Sequence, residues 1–138
     1  MCVLKAFSST RSFKKFADTT AIPVFSSMEK GQTKNQDAAT TYGEYRISFD
    51  VSDREWDDLP GQVEDAVCFL NQWESELQSL ISEFEPDEIV LDFPMYTRLG
   101  EEIANQNDYL PSDLIKIAGR LGLSIGISIY AKDAFDDL

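Results

Sequence analysis

Between Val63 and Phe84 the apolar residues recur every three or four positions: Val63, Ala66, Val67, Leu70, Trp73, Leu77, Leu80, Ile81 and Phe84. Glu64, Asp65, Gln72, Glu76 and Glu83 take the opposite side. That spacing belongs to a long amphipathic helix with one face turned to a core. Pro86 closes it. Two segments on either side have period two instead. Tyr45, Ile47, Phe49 and Val51 alternate with Arg46, Ser48 and Asp50; Leu123, Ile125, Ile127 and Ile129 alternate with Ser124, Gly126, Ser128 and Tyr130. Such alternation makes strands with one apolar face and one face open to water or a partner.

Residues 3–8 predict a first strand. Residues 88–94 predict another, a nearly continuous apolar run broken by Asp92 and ended, or set at a sheet edge, by Pro94. Phe13, Phe16 and Ala17 place a short helix behind a Thr10 or Ser12 cap, with Ile22-Pro23 ending it. Ser112 is the expected N-cap of a later helix. Leu114, Ile117, Ala118 and Leu121 form its inner stripe, and Gly122 its left-handed end. Residues 28–42 are polar and read as a mobile loop; 97–110 are loosely patterned, with room for a turn of helix; 133–138 read as a loose acidic tail. The order strand, helix, strand, helix, strand, helix, strand predicts one α+β domain over residues 1–138. The expected plan is a two-layer sandwich: a four-stranded sheet with helices packed on one face, similar to a ferredoxin-like fold with an inserted helix.

Composition agrees with a packed core, at 43% hydrophobic and 12% aromatic residues in 138. No apolar run reaches membrane-spanning length, and the start Met-Cys-Val-Leu-Lys has no signal-peptide core. Cys2 and Cys68 are far apart, lack metal-ligand spacing and have no histidine nearby, as none exists. They read as reduced thiols of a cytoplasmic protein, Cys68 as a buried inert one among apolar helix positions.

Charge is unevenly placed. From Ile47 to Leu138 there are 21 acidic and five basic residues, whereas the first 46 residues hold seven basic and four acidic. With a net charge of −13, nucleic acid and anionic membranes are poor partners and a basic protein is a good one. The small patch Lys5, Arg11, Lys14 and Lys15 is interleaved by Phe13 and Phe16, but at core spacing.

The run LPSDLIKIAGRLGLSIGISIY at 110–130 carries a likeness. It resembles the ending of an uncharacterised bacterial family, the domain of unknown function 4279, which closes with a helix, a Leu-Gly pair and an alternating strand ending in Ile-Tyr. Residues 16–31, with Pro23 and Lys30-Gly31, are similar to that family's early helix and turn, and the long middle helix fits. The likeness brings no active site. Small acidic proteins of this general look are often the immunity members of bacterial toxin–immunity pairs.

Few residues suggest catalysis. The cluster Asp50, Asp53, Glu55, Asp57 and Asp58 could meet calcium, a partner or only water. A calcium loop needs a turn glycine and a bidentate Glu at a fixed offset, and both are missing. The pairs Asp87-Glu88 and Glu101-Glu102 lie at element ends and read as surface charge rather than acid–base groups. Ser124 and Ser128 lack a base, and no glycine-rich phosphate loop exists. No cofactor is expected. Asp92 should share a strand face with Val90 and Pro94, opposite Leu91 and Phe93, either facing water, bonded to a loop, or, with Tyr96 and Arg98 following closely, in recognition. Trp56, amid acids, is either an interface anchor or a lid on the core. The expected function is therefore a non-enzymatic binding module. Its contacts would be Asp50, Asp53, Trp56, Asp57, Asp58, Asp92 and Tyr96, and its target a basic protein such as a cognate toxin. The alternatives are a homodimeric scaffold, paired through an open sheet face or the edge after Pro94, and an enzyme using carboxylates or a metal.

Overall fold

The computed structural model describes residues 1–34 and 37–136. Strand β1 (Cys2–Ser8) alternates strictly, with Cys2, Leu4, Ala6 and Ser8 buried and Val3, Lys5 and Phe7 half-buried. Helix α1 (Lys14–Thr19) follows, then β2 (Ser26–Met28), β3 (Thr33–Lys34), β4 (Asp37–Thr41) and β5 (Tyr45–Ser52). Helices α2 (Leu59–Gln72) and α3 (Glu74–Phe84) come next, then β6 (Glu88–Tyr96), α4 (Ser112–Leu121) and β7 (Ser124–Tyr130). The main sheet has five strands in the order β2-β5-β1-β6-β7, and β3 pairs with β4 apart from it. Every pairing is antiparallel except β6 with β7, which is parallel and is joined through α4.

This corrects the expected four-stranded two-layer sandwich. The four expected strands all form, but the sheet is mixed, gains β2 as a fifth strand, and is accompanied among the described residues by a two-stranded sheet and four helices. The polar stretch expected to be a mobile loop supplies β3 and β4, while β2 overlaps it only at Met28. Their stabilisation is mostly backbone hydrogen bonding, which leaves no apolar trace: Gly31 N donates to Tyr42 O (2.8 Å) and Tyr42 N to Gln32 O (2.9 Å). Asn35 and Gln36, within that stretch, lie outside the described residues. No helix forms between 97 and 110; that loop is held by Arg98, which pairs with Asp108 at 2.7 Å, and by reciprocal backbone bonds of Gly100 and Ile103.

The single long helix is also two. Trp73 adopts φ −107° and ψ 17°, yet its N–H still reaches Phe69 O (3.0 Å) and its carbonyl still accepts from Leu77 N (2.9 Å). The apolar stripe therefore passes through the bend, and Leu70, Leu77 and Leu80 are fully buried on both sides of it. Helix α2 starts ahead of the stripe because Asp58 caps it, Oδ1 accepting from Gly61 N at 2.9 Å. Helix α3 ends on Glu85, left-handed at φ 46°, just before Pro86. In α4, Gly122 ends the helix at φ 71° as expected, but the N-cap is Pro111, without a side-chain bond, rather than Ser112. Cys68 is exposed and Cys2 is the buried thiol, a second correction. Cys68 lies two residues from both Ala66 and Leu70, roughly 200° around the helix from either, on the side away from the core.

One core joins the inner sheet face to all four helices, with Phe16 edge-on to Phe49 at 6.3 Å and Phe84 packed on Phe13 and Phe16. Each fully buried Leu, Ile or Phe in it contributes about 1.5–3 kcal/mol. Among the described residues no helix is long and apolar enough to cross a membrane.

Candidate protein interface

The other sheet face carries the polar partners of the alternating strands. Asp50, Val3, Asp92 and Gly126 stand in one row across β5, β1, β6 and β7. Asp50 is exposed and Asp92 half-buried, two strands apart, about 10 Å by strand spacing. Asp92 lies where alternation placed it, beside Val90 and Pro94. Ser128 Oγ donates to Asp92 Oδ1 at 2.8 Å. Gly126 makes room for that carboxylate: a Cβ there would stand 3.1 Å from Asp92 Oδ1. On the far side of the sheet, burial pushes the Cys2 thiol well above its ordinary range, with the Asp92 charge adding to the effect.

Pro94 neither ends β6 nor lies on an outer strand; β6 continues to Tyr96 between β1 and β7. The β1 ladder stops at Asp92, so the N–H that proline lacks falls where β1 has ended. The loop after β5 fills the gap. Gln62, fully buried, donates from Nε2 to Pro94 O (3.0 Å) and Glu55 O (3.2 Å), and Tyr96 N donates to Trp56 O (3.3 Å). Gln62 was not among the sequence candidates; a polar residue next to an apolar stripe is ordinarily solvated. Its Oε1 has no partner among the described residues.

That loop delivers Trp56 to one end of the open face. Its ring stacks on Tyr130 at 4.8 Å and packs on Tyr96 at 5.2 Å and on Phe135 at 5.3 Å. Trp56 is thus a half-buried member of an aromatic cluster outside the main core, with Tyr130 and Phe135 still 37% and 39% exposed. Phe135 belongs to the segment expected to be a loose tail. Residues 132–136 instead form turns, with Ala134 N bonded to Ala131 O and Asp136 N to Asp133 O, while Asp137 and Leu138 lie outside the described residues.

The seven sequence candidates separate into groups. Trp56 and Tyr96 touch; Asp50 and Asp92 share a row. Asp53 and Asp57, with Glu55, are exposed around Trp56 in the chain. Asp58 turns inward to cap α2 and lies 3.8 Å from Arg54, which also pairs with Asp65 at 3.2 Å. Asp58 is therefore a fold residue first. Among the described residues no three His, Cys, Asp or Glu side chains converge as a metal site. Of the carboxylate pairs, Asp87 accepts from Ser9 N (2.8 Å) and Ser9 Oγ (2.9 Å), which hold it below its ordinary range; Glu88, Glu101 and Glu102 are exposed. A groove of about 330 Å³ lies on the helix side, between Leu59, Pro60 and Val63 of α2 and Asp108, Tyr109 and Pro111. It faces away from the acidic row. Compared with family models, with curated proteins and with solved structures, the chain matches none.

Proposed function

We propose that this protein is a non-enzymatic binding module that takes a basic protein partner on its acidic side, as the cytoplasmic immunity member of a bacterial toxin–immunity pair does. The reading includes kinship with the domain of unknown function 4279. One observation carries it: a partly exposed cluster of Trp56, Tyr96, Tyr130 and Phe135, flanked by exposed Asp53, Glu55 and Asp57 and next to the Asp50–Asp92 row. Interfaces concentrate their energy in such aromatic anchors, while surrounding charges speed encounter and select the partner's sign. Exposed Asp50, Asp53, Glu55 and Asp57 supply that field locally, on a chain of net charge −13. A toxin with a cationic substrate site would be occluded by the same contact.

The test is affinity capture from lysate of the producing cell at low and at high salt. A basic protein should be retained at low salt, less at high salt, and lost with Trp56→Ala or with Asp53→Lys and Asp57→Lys together. Recovery of no basic protein at low salt overturns the proposal.

A further inference from the structure

Ten large apolar side chains are exposed among the described residues, and eight of them fall between Leu99 and Phe135. Three of them, Ile127, Ile129 and Tyr130, belong to β7, an outer strand with β6 on one side and, among the described residues, no strand on the other. β7 is seven residues of SIGISIY, without charge or proline. Outer strands are ordinarily blunted by lysine, proline or a bulge; this one is not.

The direction of its free hydrogen-bonding groups follows from one bond. Thr97 N donates to Tyr130 O at 2.9 Å, so even-numbered residues of β7 address β6. Ile125, Ile127 and Ile129 therefore aim N–H and C=O at the open edge. Their side chains lie on the helix side, where Ile127 is 44% and Ile129 60% exposed. Helix α4 is drawn toward α3 by Arg120, whose Nε lies 2.7 Å from Glu74. Ile115, 48% exposed, sits about 140° around α4 from Arg120, away from the side tied to α3. Leu99 lines a recess with Ile129 at the far end of the strand.

Charge decides what fits. Residues 47–96 hold fourteen acids and one base, whereas 97–138 hold seven acids and four bases. β7 itself carries no charge, so a cationic partner finds no counter-charge along this edge. A second copy brings an uncharged strand of the same pattern. Antiparallel pairing about a two-fold axis through Ile127 sets Ile127 against itself and Ile125 against Ile129, with no like charges opposed. We infer that β7 pairs edge to edge with β7 of a second copy, joining two five-stranded sheets into one. The inference does not rest on the acidic interface, which adjoins this edge at Tyr130, the last residue of β7.

Light scattering during size exclusion, at high micromolar concentration, should give twice the 15.6 kDa chain mass. Added salt should leave the dimer intact or favour it, since it screens repulsion between two chains of −13. Ile127→Pro removes an outward N–H without touching the β6 ladder, and Ile129→Lys sets charge into the contact. Both should be monomeric with an unchanged circular dichroism spectrum. Amide exchange at Ile125, Ile127 and Ile129 should quicken on dilution, and it decides the matter should Ile127→Pro fail to fold. A monomeric wild type, a dimer that Ile129→Lys retains, or an edge filled instead by another protein's strand overturns the inference.

Discussion

Replacing Gln62 by alanine removes a buried side chain that ties the acidic loop to the sheet. Its Nε2 satisfies Pro94 O and Glu55 O from a fully buried position. Leaving the buried Pro94 carbonyl unpaired costs about 1–3 kcal/mol, and losing the more accessible Glu55 bond costs about 0.5–1.5. The void adds a further cost, and removing the unpartnered Oε1 returns part of it. The expected loss is about 2–4 kcal/mol, or roughly 8–16 °C in melting temperature for a chain of this size. Urea unfolding measures the first quantity and a thermal scan the second. Trp56 should report locally: in a Trp73→Phe background its emission should shift to the red as the loop loosens. Gln62→Leu keeps the volume and loses the donors, so most of the destabilisation should persist. Stability within about 1 kcal/mol of wild type in both variants would refute the hydrogen-bond argument. A full loss with unchanged Trp56 emission would refute the link to the aromatic cluster.

Two further outcomes follow from buried and paired groups. One thiol per chain, Cys68, should react with a disulfide reagent in the folded protein, and Cys2 only on unfolding; two fast thiols would contradict the burial of β1. Glu74, paired with Arg120, and Asp87, bonded to Ser9, both sit below their ordinary values of 4.5 and 3.8. Burial pushes Asp108 up, but hydrogen bonds from Gln106 and Arg98 outweigh it, so it too is lowered. The unfolded chain therefore takes up these protons first, and the stability they confer is present above the ordinary values and lost as pH falls through the lower folded ones. In salt sufficient to screen the net charge, the urea midpoint should fall below about pH 4; a midpoint that rises in acid would contradict these pairings.

Much of the architecture was legible because burial imposes a period. Leu4, Ile47, Phe49, Leu91 and Phe93 are fully buried on one sheet face, and Asp50 and Asp92 lie on the other, as alternation requires. What stayed hidden had no such imprint. The β3–β4 hairpin and β2 are polar and paired through backbone. The bend at Trp73 keeps both hydrogen bonds of the helix, so the stripe crosses it in register. The exposed side of Cys68 could have been read from its two-residue offset to Leu70; the surrounding Val67 and Phe69 masked it. At the candidate interface, Trp56 was singled out for its acidic setting and Tyr96 for its closeness to Asp92, but Phe135 comes from a segment far along the chain. Gln62, fully buried, donates to the Pro94 carbonyl beyond the point where the β1 ladder stops, which no sequence pattern marks.

The central position of β1 has a consequence for synthesis on the ribosome. Val3 pairs with Asp50 on one side and Asp92 on the other. The strand made first is flanked on its second side only after about ninety further residues have been added, several seconds at roughly 5–20 residues per second. In that interval Leu4 and Ala6 belong to a nascent sheet whose free side is β1 itself, and a chaperone that shields it would be needed most just before β6 leaves the tunnel.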